Sequence, residues 1–145
     1  MTSVLRSLLR ALAALALAAS FAAQAAPVSK AEAKRIRGVI QAQLDAFARD
    51  DARSAFAYAA PGIRKMFGTP ERFLAMVREG YPVVYRPASV GFLAPEANGA
   101  TVIQAVEMAD RDGTLWVAVY QLERQRGGAW RITSCELMPS DGKVV

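Results

Sequence analysis

At 145 residues the chain has room for one domain with a sizeable core, and 53% hydrophobic residues is at the high end of soluble composition. It has no histidine and one cysteine, Cys135, which excludes Ser/His/Asp hydrolysis, Cys/His nucleophiles, the common zinc sites and any intramolecular disulfide. The formal net charge of +5 is not accompanied by an interleaved aromatic and basic run, so a nucleic-acid platform is excluded as well.

Residues 1–25 hold Arg6 and Arg10, no acid, an apolar run from Ala11 to Ala19 and beyond, and then Ala23-Gln24-Ala25, the small-x-small form of a signal-peptidase site. Cleavage is expected after Ala25, since cutting one residue later would set Pro27 beside the scissile bond. The run is alanine-rich and short of the ~20 residues that span a bilayer, so a signal peptide is expected rather than a retained anchor. The mature chain, one domain over residues 26–139 with a frayed tail at 140–145, is expected in the periplasm or outside, with no stable membrane anchor. Residues 26–90 carry 11 Lys and Arg against 6 Asp and Glu, whereas residues 91–145 carry 5 against 7. The basic half could face an anionic partner; a solvated surface is the plainer reading.

Ser29 followed by Glu32 is a capping box, each side chain satisfying an unpaired backbone N–H at a helix start. Ile36, Val39, Ile40, Leu44 and Phe47 then recur at three and four residues, predicting an amphipathic helix over Lys30 to Arg49 whose stripe needs a sheet. Asp50 or Asp51 can cap a second helix carrying Ala52, Ala55, Phe56 and Ala59, stopped by Pro61-Gly62. Ile63 to Phe67 predicts a single turn. Thr69-Pro70-Glu71 starts a third helix with Phe73, Met76 and Val77 inward, and Gly80 closes it.

Val83 to Tyr85 and Ala88 to Leu93 predict an edge or bulged strand broken by Arg86-Pro87, because proline cannot donate to a ladder. Asn98-Gly99 turns the chain into a three-strand meander from Thr101 to Met138. Asp112-Gly113 suits a two-residue hairpin, which sets Ile103 opposite Leu122, Ala105 opposite Tyr120 and Glu107 opposite Ala118. A three-residue loop at Gln125-Arg126-Gly127 sets Leu122 opposite Trp130 and Tyr120 opposite Ile132. One face then carries Ile103, Trp116, Tyr120, Leu122, Trp130 and Ile132, with Glu107 and Glu136. The other carries Val102, Val106, Met108, Val117, Val119, Cys135 and Leu137, with Gln104, Gln121, Glu123 and Arg131 toward one end. Both faces are partly apolar, so helices are expected over the aromatic one and some cover, such as a second subunit, over the other. Cys135 reads as a small buried hydrophobe with no base to activate it.

Helices followed by a sheet of about four antiparallel strands give an α+β fold. It resembles the nuclear transport factor two-like (cystatin-like) cone, in which N-terminal helices close over a curved sheet and leave a pocket. More specific are Ile40-Gln41-Ala42-Gln43-Leu44-Asp45-Ala46-Phe47, Tyr58-Ala59-Ala60-Pro61-Gly62-Ile63, Phe67-Gly68-Thr69-Pro70, Gly80-Tyr81-Pro82-Val83-Val84-Tyr85-Arg86-Pro87 and Trp130-Arg131-Ile132. Over roughly Ile36 to Leu137 these are similar to the bacterial family known as domain of unknown function 4864. That family has no established activity, so the resemblance implies a fold and no chemistry. It also implies that Tyr81 to Pro87 is a family feature.

An aromatic sheet face beneath amphipathic helices is a common setting for a concave apolar site, and Phe73, Tyr85, Trp116, Tyr120, Trp130 and Glu107 are the candidate pocket residues. The plainer role of each aromatic is core packing. Ketosteroid isomerases resemble the general layout, with a tyrosine and aspartates in the pocket, but the first helix offers Gln43 and Phe47 inward and Asp45 outward. The Asp-Arg-Asp cluster of the epoxide hydrolases of this fold is not met either, since Arg131 falls on the opposite face. Glu107 and Glu136 stand two strand spacings apart, about 9.6 Å, too far to share a proton. This leaves a lone glutamate beside Trp116 as the enzymatic option. The residues therefore favour a non-enzymatic domain, with no catalytic residue, metal or cofactor, that binds a small molecule or a protein partner. The first alternative is a homo-oligomeric scaffold dimerising through the sheet around Val106, Val117 and Val119, and the second is a carboxylate-dependent lyase or isomerase.

Overall fold

The computed structural model of the chain describes residues 26–141. The segment expected to be a signal peptide, 1–25, and the last part of the expected tail, 142–145, lie outside the described residues; Ser140 donates its N–H to the Leu115 carbonyl at 3.0 Å.

Ser29 accepts a hydrogen bond from the Glu32 N–H at 3.2 Å and starts α1, Lys30–Ala48, whose stripe of Ile36, Ile40, Leu44 and Phe47 is buried. Only half of the capping box forms. The Glu32 carboxylate reaches across the fold instead, accepting from Trp130 Nε1 at 2.8 Å and from Arg124. Asp51 accepts from the Ser54 N–H and caps α2, Ala52–Ala57. In α1, buried Gln43 donates from Nε2 to the Ala55 carbonyl at 3.1 Å and so ties the first two helices together. Pro61 starts α3, Pro61–Phe67, which is longer than the turn expected over Ile63 to Phe67. Thr69 caps α4, Pro70–Gly80, with Phe73, Leu74 and Val77 buried.

The strand expected over Val83 to Tyr85 is instead a helical turn, α5, Pro82–Tyr85. Proline in first position has its φ preset for a helix and gives up an N–H that would be unpaired there anyway. Val83 and Val84 pass into the core.

The sheet is antiparallel, curved and unclosed, with six strands among the described residues where about four were expected: β1 (Ala26–Pro27), β2 (Ser89–Phe92), β3 (Glu96–Asn98), β4 (Thr101–Ala109), β5 (Leu115–Arg124) and β6 (Trp130–Pro139). Of the expected bulged edge, Ala88 to Leu93 supplies β2, and β3, which was not expected, follows it; the two pair with successive halves of β4. Where they part, Gln104 turns its amide toward the gap and donates to the Leu93 carbonyl at 2.7 Å and the Ala105 carbonyl at 2.8 Å. Gln104 is thus buried on the core face, not toward one end of the back face.

The meander itself forms, but in a different register. The first hairpin loop has three residues rather than two, closed by Asp110 N–H to Thr114 O at 2.9 Å, with Gly113 in the left-handed region at φ 82°. Asp110 selects this loop, because its carboxylate accepts from the Asp112 and Thr114 N–H groups at 3.0 and 2.9 Å. One extra residue turns β4 over. Val102 therefore lies opposite Leu122, Gln104 opposite Tyr120, Val106 opposite Ala118 and Glu107 opposite Val117. Val102, Val106 and Met108 belong to the core, while Ile103 and Glu107 are on the outer face with Val117 and Val119.

The second loop is also shifted, pairing Leu122 with Ile132, and a register break between Gln121 and Leu122 then brings Tyr120 opposite Cys135. Beyond that break the faces of β6 exchange. Cys135 and Leu137 pack against the core, and Glu136, opposite Val119, is exposed on the outer face. The open edge of β6 is stitched to the helices where Ala60 N–H donates to Ile132 O at 2.8 Å and Ile132 N–H to Tyr58 O at 2.9 Å.

Candidate ligand-binding site

Two concavities lie end to end on the core face of β5 and β6. The outer one is a groove of about 970 Å³ along Gly80–Val83, Tyr85, Arg86, the Asp110–Asp112 loop, Trp116 and Leu137. The inner one is a chamber of about 250 Å³ under α3 and α4. Tyr81, at the junction of α4 and α5, lines both and divides them.

The chamber wall is apolar and carries no charged residue. Phe73 is its centre, with ring centroids of Phe47, Phe56 and Phe67 at 5.8, 5.6 and 5.6 Å in tilted contacts. Ile63, Val77, Val84 and Ile132 complete the hydrocarbon surface, and Gln43, Ser134, Tyr120 and Cys135 supply the polar atoms. Tyr120 is 1% exposed and its hydroxyl has no oxygen or nitrogen partner, only the Cys135 thiol being close enough to interact with it. The Cys135 thiol sits across the strand pair from it, but a thiol is a weak partner. Burial pushes the Tyr120 phenol well above its ordinary value.

Burial also pushes the Cys135 thiol up, to about 12. Relative to an ordinary thiol at 9.0, that leaves about a thousandfold less thiolate at neutral pH, so a thiol-directed reagent is expected to label Cys135 only as fast as the domain opens. Labelling of the native protein at the rate of the urea-unfolded chain would contradict this. The sign of the linkage follows: between the unfolded and folded values the native protein holds a proton that the unfolded chain has released, so these two groups withdraw stability as pH rises above about 9.

The candidate residues divide between places. Phe73 and Tyr120 line the chamber, whereas Tyr85 and Trp116 line the groove. Tyr85 is held by neighbours: its hydroxyl donates to Asp50, and Arg86 and Arg78 stand over its ring at 4.7 and 5.6 Å. Trp116 donates from Nε1 to Asp110 Oδ2 at 3.1 Å, and this bond holds the Asp110 carboxyl below the usual range. Trp130 lines neither space, and its indole is fixed to Glu32. Glu107 is exposed on the outer face, away from the aromatics it was expected to join. Ser134 and Cys135 reach the chamber through the register break, for which the sequence carries no signal; Gln43 was legible from its inward place in the α1 period.

The Trp130 hydrogen bond is also the main reason that the Glu32 carboxyl sits below its ordinary value, with Arg124 adding to it. A lowered folded value means stability that is present above pH 4.5 and is lost as pH falls through the folded value. Acid titration of Trp130 emission is expected to report this loss, and Glu32→Gln to abolish it. An unchanged acid transition in that variant would remove Glu32 as its cause.

The family model described as Domain of unknown function (DUF4864) matches residues 29–145. The chain belongs to this family. A solved structure from Streptomyces avermitilis, of an NTF2-like family protein with a provisional dehydratase assignment, matches this DUF4864 chain at TM-score 0.51 and 14% identity, over 76% of this chain and 96% of its own. At that identity the likeness speaks for the fold alone, and with the helices over a curved sheet it makes the DUF4864 domain an NTF2-like α+β cone. No curated protein is similar enough in sequence to count as a match. Among the described residues of the DUF4864 domain, no group of three His, Cys, Asp or Glu could hold a metal ion, and no helix is long and apolar enough to cross a membrane.

Proposed function

We propose that the domain binds a small apolar ligand in the inner chamber and performs no reaction on it. Tyr120 carries this reading: a residue on the wall of an apolar space of about 250 Å³ whose fully buried hydroxyl has no oxygen or nitrogen partner. Buried polar groups are almost always paired, and an unpaired one on a cavity wall is a group that a ligand can satisfy. Glu107, on which the enzymatic alternative rested, is on the outer face, and no carboxylate lines the chamber among the described residues. Benzene is a suitable first probe. A ligand at ~100 times its Kd adds about 2.7 kcal/mol, so saturating benzene is expected to raise the thermal midpoint by several degrees. Ile63→Phe, which fills the space from α3, removes the shift. A wild-type midpoint insensitive to benzene and to neutral aromatic fragments overturns the reading.

The outer sheet face favours a second reading, self-association. Leu115 and Met138 are 48% and 47% exposed and adjoin half-buried Val117, which suits a second copy docked sheet to sheet. Sedimentation at rising concentration should then show dimer mass; monomer mass throughout rejects it. In the same proposal the domain works in the periplasm or outside the cell, supported by the residue pattern of 1–25. The mature protein is expected to begin at Ala26, and a mature protein that keeps Met1 and the following segment rejects export by this route.

A further inference from the structure

We infer that the ligand of the inner chamber is a neutral, ring-sized molecule carrying an oxygen that hydrogen-bonds to the Tyr120 hydroxyl. This rests on the reading of the chamber as a binding site. Neutrality follows from the wall. Phe47, Phe67, Phe73, Val77 and Ile132 offer no counter-charge, and an ion taken from water into such surroundings loses its hydration with nothing to replace it. Size follows from the volume. An apolar cavity of about 150 Å³ accepts benzene, so about 250 Å³ admits one ring with small substituents.

The oxygen follows from the polar atoms. Among the described residues Tyr120 Oη is the one fully buried side-chain oxygen or nitrogen without an ordinary hydrogen bond; its polar neighbour is the Cys135 thiol, a weak partner that a ligand oxygen can displace, and as a donor it calls for an acceptor on the ligand. Gln43 has committed its Nε2 to the Ala55 carbonyl, which leaves Oε1 as an acceptor on the same chamber's wall. A hydroxyl-bearing ring can therefore accept from Tyr120 and still have a proton to give. Apolar burial supplies most of the affinity in such a site, and the single hydrogen bond decides which ring is taken.

Calorimetric titration of the whole domain with benzene, phenol and benzoate tests this. Phenol is expected to bind about fivefold tighter than benzene, the factor that one net hydrogen bond is worth, and benzoate not to bind. Tyr120→Phe keeps the ring and the fold, so it should bind benzene as the wild type does and lose the phenol advantage. The inference is overturned if benzene binds without any phenol advantage, if that advantage survives in Tyr120→Phe, or if benzoate competes with phenol. Should none of the three bind the wild type, the chamber is not a binding site, and the reading beneath the inference fails first.

Discussion

Tyr120→Phe is expected to make the domain more stable, by about 1–3 kcal/mol, which is the desolvation penalty of a buried hydroxyl with no partner stronger than a thiol. The substitution removes one oxygen and keeps the ring, so packing against the core loses little. In a domain of this size the gain corresponds to a thermal midpoint higher by roughly 4 °C per kcal/mol, measurable by calorimetry. Most substitutions of a fully buried residue destabilise, so a gain here would be diagnostic. A residue that lowers stability where it stands, on the wall of a chamber, fits a group retained for binding. A loss of stability in the variant would mean that the hydroxyl has a partner in solution, and the proposed ligand contact would lose its basis.

Phe73→Ala is expected to act in the opposite direction and more strongly, costing about 3–5 kcal/mol. Phe73 is 6% exposed and its ring touches Phe47 of α1, Phe56 of α2 and Phe67 of α3, so the truncation loosens α4 from these three helices. Against a total stability of about 5–15 kcal/mol such a loss leaves the domain marginal. Met66, 77% exposed on α3, is the internal control: Met66→Ala should stay within about 0.5 kcal/mol. Urea titrations of both variants decide the matter. Equal midpoints would show that the four-ring cluster does not hold the helical roof together.

The helices were legible because their signals are local. Ser29 and Thr69 cap the starts as read, Asp51 is the one of the two aspartates offered that caps α2, and the α1 period reports its buried face. Strand faces depend on loop lengths, where one residue inverts everything downstream. The Asp112-Gly113 pair suggested a two-residue turn, yet the Asp110 carboxylate, bonded to two N–H groups and the Trp116 indole, favours three. That inversion hid Val102, Val106 and Gln104 as core and sent Glu107 outward. The break opposite Gln121 and Leu122 hid Cys135 as a chamber residue in the same way. Tyr120 and Phe73 survived both errors because each was read from the period of its own element. Trp130 did not, since its partner Glu32 lies 98 residues earlier and such pairs leave no local trace.

Xenon under pressure tests the chamber most directly, because a polarizable atom with no hydrogen bonds reports apolar space and nothing else. Crystals of the domain are expected to show xenon between Phe73, Val77 and Tyr120, with Ile63→Phe excluding it. Absence of xenon from that position in the wild type, with the aromatic side chains closed over it, would contradict an apolar site beneath α3 and α4.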